Sequence, residues 1–453
     1  MNVPTIYESA AAMYRTEEGL GVWPHRGKVA AAGIGHSPTM RRWDGDPQTS
    51  VGAWSILAIR KAIADAGLPP EEVDGLVLDR ITSTGSSWPA GDPIPADFLE
   101  AFEGTDDPLD GLAQLSPEWL VKNMPELTGL KFVMVATQCM SMVLTAAIEA
   151  VGRGMATNCV AVKGWHNFPG RYSQGGANAE PTVSSWFKYG YGFAGAPSYP
   201  TAMQFQRYLH KYGKTHEMMA PYIVNSRANG LLFPEGYWAQ HDPTPLTIDD
   251  YNNSRWISKP ANLLDNDLPI HTAGAYLITT AERAKDLAQK PVYVLGHAGS
   301  GTVRGDYYDG LPNRSTFETL EETEDRAAAT ARKVYESAGV TNRDIQFENA
   351  YDGFTLFHVF HIEGFQFAGI NKGEALDLFQ TDISIHGPNP VSPSGGNIGG
   401  GRSRFWMHTD SIQQIQGRAG ARAMTGIGDV HCGISGGFMP YWNNFVVWSS
   451  TPD

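Results

Sequence analysis

Cysteine is scarce in this chain: Cys139, Cys159 and Cys432 are the only three in 453 residues. That excludes a disulfide framework and a four-cysteine zinc site. Positive charge is also short, with 34 Lys and Arg against 48 Asp and Glu and a net charge of -14. Nucleic acid is a poor partner for such a surface, because phosphate binding needs concentrated cations. A small anion held by a local basic patch remains compatible. Long apolar runs are missing too. The most apolar region, Phe132 to Val151, is broken by Gln138, Ser141, Thr145 and Glu149, and reads as a strand and then a helix, not a membrane span. The first residues lack a charged start leading into an apolar core, so no signal peptide is expected and a cytoplasmic location is the default.

The chain is rich instead in glycine (50) and tryptophan (12), while 42% hydrophobic and 18% charged residues exclude wholesale disorder. Its organisation shows in a repeat. "RKAIADAGLPPEEVD" (Arg60 to Asp74) and "RKVYESAGVTNRDIQ" (Arg332 to Gln346) share Arg-Lys, Ala-Gly, an aliphatic residue, an acid and a β-branched residue without a gap. Each has helical periodicity and ends at a glycine suited to a left-handed C-terminus. Each follows a strand-like run ("KVAAAGIGH", "PVYVLGHAG") and precedes another ("GLVLD", "FENAY"). Later in each half a turn of small residues leads into a further helix, "ATQCMSMVLTAAIEAVGRG" and "GGGRSRFWMHTDSIQQIQGRAG". Strands alternating with helices predict an α/β fold of two duplicated halves. The expected divisions are an N-terminal extension (1–27), a first half (28–165), a covering region rich in Gly, Pro and aromatics (166–284), and a second half (285–453). Thr82 to Leu120 reads as an acidic covering loop.

Two such halves with a large region between them resemble the thiolase fold, a five-layer α-β-α-β-α arrangement. "YDGFTLFHVFHIEGFQFAGINKGEA" (Tyr351 to Ala375) resembles the His-Asp-Cys-Phe segment of sterol-carrier-type thiolases. "PVSPSGGNIGGGRSR" with "QIQGRAGAR" is similar to their Pro-Val-Asn-Pro-Ser-Gly-Gly…Gly-His-Pro…Gln-Leu-Arg-Gly block. Further likeness, over residues 207–234 and 254–287, is to the lipid-transfer-protein group, which includes acyl-CoA aldolases that shorten sterol side chains. The resemblance implies an acyl-CoA thioester as substrate, with no bound cofactor. It also implies a homodimer and a small OB-fold or zinc-ribbon partner protein.

Laid on these motifs, Gly395 and Gly396 match the paired glycines and Gly401-Arg402-Ser403 falls where Gly-His-Pro stands. Arg402 therefore replaces the thiolase histidine, and His408 falls where the family has a glycine. Tyr351 occupies the position of the His in His-Asp-Cys-Phe, where the sterol side-chain aldolases carry a tyrosine. Cys139 in "TQCMSM" lies near the nucleophilic Cys-x-Ser-Gly: matching Cys139-Met140-Ser141-Met142 to that motif shortens the following helix, whereas matching the helix puts Cys139 on the motif's serine. Cys432 in "HCGISGGF" lies near the second active-site cysteine, with Gly436 in the glycines that follow and His431 beside it as a possible base; His271, His358 and His361 are further histidines of that kind.

The residues then divide by chemistry. Arg402 cannot act as a base, since a guanidinium does not deprotonate, but beside a thioester it stabilises an enolate oxygen. Tyr351 is the candidate proton donor or acceptor for a β-hydroxyl. Asp352 supports the loop, and with Ser141, Gly395, Gly396, Gly401 and Gly436 it is expected to line the substrate. No spacing of His, Cys and carboxylates predicts a metal site. The first expectation is retro-aldol cleavage of a β-hydroxyacyl-CoA with a bulky hydrophobic or aromatic acyl group, for which the aromatic stretch Trp186 to Pro200 is a suitable lining. The alternatives are a thiolase-type acyltransferase using Cys139 with His408 or His431 as base, and a non-catalytic acyl-CoA- or lipid-binding subunit.

Overall fold

A computed structural model describes residues 5–82, 88, 91–136, 139–168, 198–300, 319–440 and 443–453. Ten strands form one mixed sheet: β1 (Thr5–Tyr7), β2 (Val29–His36), β3 (Gly75–Leu78), β4 (Phe132–Val135), β5 (Asn158–Trp165), β8 (Thr272–Thr280), β9 (Val292–Gly299), β10 (Phe347–Ala350), β11 (Cys432–Gly436) and β12 (Asn444–Ser449). A separate hairpin joins β6 (Trp256–Ser258) to β7 (Ala261–Asn262). The helices that matter below are α1 (Val51–Ala66), α2 (Met140–Gly152), α3 (Ser198–Tyr212), α4 (Ala220–Leu231), α5 (Leu320–Ala338), α6 (Thr355–Gly364), α7 (Gly396–Gly400) and α8 (Trp406–Gln416).

The strand order β1-β4-β3-β5-β8-β2-β9-β12-β11-β10 is nearly palindromic. Reading outward from the centre, β2, β8, β5 and β3 are answered by β9, β12, β11 and β10. The partner of β4 is reduced to one parallel bridge between Glu348 and Val391. The halves meet where β2 and β9 pair antiparallel, Ala30 with Tyr293 and Ala31 with Val292.

The repeated helices take equivalent places. Ser50 caps α1 and Thr319 caps α5, each hydroxyl accepting from a backbone N–H three residues on. Both helices stop at a left-handed glycine, Gly67 at φ 67° and Gly339 at φ 65°. Each packs on the central strand of its half, α1 on β2 and α5 on β9. The approach is close enough that a Cβ on Gly33 would stand 2.1 Å from the Ala62 oxygen, and one on Gly296 2.5 Å from the Ala338 nitrogen. Arg60 and Arg332 thus lie on corresponding elements.

Between the half-sheets run α2 and α8. Every residue from Met140 to Val151 is buried, as is every residue from Trp406 to Ile412, so these helices form the middle layer of a thiolase-type five-layer stack with α1 and α5 outside. The covering region contributes more than loops. Its last part is β8, which lies inside the first-half sheet between β5 and β2. The first half therefore closes only after the chain has returned from α3, α4 and the hairpin. Among the described residues, no helix is long and apolar enough to cross a membrane.

Candidate active site

The site forms where the two halves present equivalent strand-to-helix turns. In the first half β4 leads to Cys139, the N-cap residue of α2. In the second, the Val391 bridge leads through the glycine run to α8. That run is a packing device as well as a loop. The short helix α7 lies so close to α4 that a Cβ on Gly399 would stand 1.9 Å from the Ser226 oxygen, and one on Gly395 2.4 Å from the Gly230 nitrogen.

Asp352 holds the N-terminus of α7. Its carboxylate accepts from the Asn397 N–H at 2.7 Å, the Ile398 N–H at 3.2 Å and the Tyr222 hydroxyl at 3.2 Å. Gly396, at φ 60°, has no room for a side chain, because a Cβ would stand 2.0 Å from Asp352 Oδ2. Burial pushes the Asp352 carboxyl up to about 6, against the charge of His358 and the two backbone donors.

Tyr351 follows β10, and its N–H donates to the Gly436 oxygen at 2.9 Å. The ring is buried against Phe357 and Phe438. Its hydroxyl lies over Gly353, where a Cβ would be 1.8 Å from Tyr351 Oη and 2.9 Å from Asp267 Oδ2. Burial drives the phenol well above its ordinary value, opposed first by the charge of Arg404. At neutral pH Tyr351 is a phenol, a proton donor.

Arg402 is committed elsewhere. Its Nε donates to both Asp267 carboxylate oxygens at 2.9 Å, and its Nη2 donates to Oδ1 at 2.7 Å. Its backbone N–H donates to the Leu268 oxygen at 2.7 Å. The side chain beside Tyr351 is Arg404, whose guanidinium carbon lies 4.0 Å from the Phe438 ring centre, 4.6 Å from Trp165 and 5.4 Å from Tyr351. The sequence reading missed Arg404. The one available signal was a second arginine two places after the first, with nothing to say which would turn inward.

Cys139 is buried, and burial raises its thiol above the ordinary value, opposed by Arg404, the Met142 N–H and Lys163. The described residues bring it no imidazole. His408 bridges the halves instead: Nε2 meets Ser141 Oγ at 2.8 Å and Nδ1 meets Ser435 Oγ at 2.7 Å, where the Trp448 indole N–H also donates at 2.7 Å. Burial pushes His408 down to about 3, so it stays neutral. His431 is exposed next to Ser450, just before β11 and at the opposite end of that strand from Gly436. Five strand residues put it roughly 16 Å away from that end. Neither histidine is placed to activate Cys139. His361 meets the Phe438 oxygen at 2.9 Å, His358 meets Glu348 at 3.0 Å and His271 meets the Thr49 oxygen at 2.7 Å. Gly401, at φ 91°, turns the chain from α7 toward the Arg402 pair. Cys432 is half-buried at the His431 end of β11, its thiol pushed up to about 12 by burial. Nearly all of the aromatic stretch Trp186 to Pro200 lies outside the described residues.

The chain is similar to known proteins over most of its length. Residues 312–441 match the family model described as "Thiolase C-terminal domain-like". The chain is 29% identical over 406 residues to "17-hydroxy-3-oxo-4-pregnene-20-carboxyl-CoA lyase" of Mycobacterium tuberculosis, covering 86% of this chain and 92% of that one. It is 27% identical over 385 residues to the "Steroid side-chain-cleaving aldolase" of Thermomonospora curvata, covering 82% and 86%. Among solved structures, "Ltp2-ChsH2(DUF35) aldolase" superposes with a TM-score of 0.71 at 23% identity, over 94% of this chain and 98% of that one. These likenesses support a place for the chain in the thiolase superfamily, beside its sterol-carrier-thiolase-like aldolases.

Proposed function

We propose that this protein is an acyl-CoA lyase that cleaves a β-hydroxyacyl-CoA by a retro-aldol reaction, with a bulky, steroid-like acyl group as substrate. The observation that carries the reading is a buried phenol, Tyr351, beside a guanidinium, Arg404, next to a Cys139 thiol that no described imidazole reaches. Claisen chemistry needs a thiolate and a base to make it. Retro-aldol cleavage needs no thiolate. As a base takes the proton of the β-hydroxyl, the bond between the α- and β-carbons breaks and its electron pair passes to the thioester as an enolate. Tyr351 then protonates the α-carbon and recovers a proton equivalent to the one the hydroxyl released. A ketone and a shortened acyl-CoA leave, with no net oxidation.

The names of the two relatives support the steroid-like acyl group and the coenzyme A thioester. The two components named together in the solved neighbour, Ltp2 and ChsH2(DUF35), support a small OB-fold or zinc-ribbon partner. A homodimer and a cytoplasmic location complete the reading, the latter consistent with three cysteines that are all unpaired.

The test is product analysis with 17-hydroxy-3-oxo-4-pregnene-20-carboxyl-CoA, with and without free coenzyme A. Ketone and shortened acyl-CoA are expected without added coenzyme A, and C139A should keep most of the turnover. Y351F should lose about 100- to 1000-fold in turnover, the scale of a lost proton donor or oxyanion donor, with KM within a few fold. An acyl group found on Cys139 by mass spectrometry, with C139A inert, would instead establish the thiolase-type reaction. That second reading draws on the place of Cys139 at a helix N-terminus under the charges of Arg404 and Lys163.

A further inference from the structure

The family motif puts a polar residue at position 402, yet Arg402 is turned onto Asp267 and the cation beside the phenol comes from position 404. Resting on the aldolase reading, we infer that Arg404 is the residue that holds the thioester oxygen as the carbon–carbon bond breaks, and that Arg402 is structural.

Three independent features converge on Arg404. Its backbone is left-handed at φ 61°, a conformation unfavourable for a side-chain-bearing residue that persists only where the surroundings impose it. The imposing contact is visible. Asn397 Oδ1 accepts the Arg404 N–H at 2.9 Å, while the Asn397 N–H is fixed on Asp352. Asp352 thus reaches Arg404 through a single intermediate, and the left-handed turn aims this side chain, not its neighbour's, into the seam between the halves.

The enclosure is the second feature. Trp165 ends β5 of the first half and Phe438 follows β11 of the second, so the guanidinium lies between aromatic faces contributed by both halves, with Tyr351 as a third. Aromatic walls exclude water and leave the charge unscreened, where a fixed cation is worth most to a developing oxyanion. The third feature is reach. Among the charges acting on Tyr351 and on Cys139, Arg404 is the foremost one in each case. Its charge therefore acts at both family positions where the substrate's reacting atoms belong, with its guanidinium carbon 5.4 Å from the Tyr351 ring centre. The planar fork can present N–H groups to the enolate oxygen while the Tyr351 hydroxyl faces the α-carbon.

The test uses the full-length protein and the steroid thioester above, comparing parent, R404K and R404Q, with coenzyme A thioester binding measured on each. R404Q should lose about 100- to 1000-fold in turnover with binding within a few fold of the parent. R404K should recover part of that loss, because a point charge replaces the fork incompletely, and it serves as the folded control should R404Q fail to fold. Added guanidinium ion should restore turnover to R404A but not to Y351F. R404Q turning over within about threefold of the parent overturns the assignment. So does R404K losing turnover and binding in equal measure, which would mark a packing residue. A parent that cleaves no β-hydroxyacyl-CoA overturns the aldolase reading itself, which separates the two failures.

Discussion

At the scale of single residues, Tyr351 and Arg402 show how two motif positions can meet one carboxylate through quite different interactions. Both are buried, and both face Asp267. For Arg402 the carboxylate is a three-bond ion-pair partner. For Tyr351 it is a nearby negative charge that helps keep the phenol protonated. If Arg402 is structural, R402Q takes the paired cation from Asp267 in a dry interior, and breaking such a pair costs about 3–5 kcal/mol. A thermal or denaturant melt of R402Q should show a loss of that size, with residual turnover tracking the folded fraction. A variant as stable as the parent would show that the pair is not holding the structure.

At the scale of elements, the repeated helices and their terminal glycines were legible because their determinants are local: a period of 3.6 residues and a glycine at the end. The repeat of Arg60 to Asp74 at Arg332 to Gln346 was visible for the same reason. The glycine run from Gly395 to Gly401 was legible as a special loop, but its physical purpose lies in what it touches. α7 packs against α4, and its N-terminus is fixed by Asp352. G396A tests that purpose. The left-handed backbone costs an alanine roughly 1–2 kcal/mol, and the methyl group's overlap with Asp352 adds about 1–3 kcal/mol. We expect G396A to melt earlier and to lose turnover beyond its loss of stability, because displacing Asp352 also loosens Asn397 and with it Arg404. Wild-type turnover in the folded fraction of G396A would show that this loop does not position the site.

At the scale of the whole molecule, the connectivity has a consequence for independent folding. The first half-sheet takes its strand β8 from beyond α3, α4 and the β6–β7 hairpin. A fragment spanning 28–165 would leave the facing edges of β2 and β5 without that strand, exposing two rows of unpaired backbone groups. Such a fragment should aggregate or lack cooperative unfolding by circular dichroism, whereas one extended through residue 286 should regain it. A 28–165 fragment with a sharp melting transition would contradict this strand's importance.

The sequence by itself determined the α/β class, the duplication and the repeated helices with their terminal glycines. These depend on periodicity, capping and turn chemistry, which act over a few neighbouring residues. Tyr351 and Asp352 became candidates through the likeness of their segment to a family motif, not through any local pattern. Tertiary structure decided which arginine faces the phenol, because that choice turns on Asp267, 135 residues from Arg402, and on a left-handed turn at Arg404 that no local pattern announces. It also decided that His408 bridges Ser141 to Ser435 across the seam, and that His431 lies at the far end of its strand. Partners distant in sequence and the buried field they share set those roles, and both come into being only when the two halves close on each other.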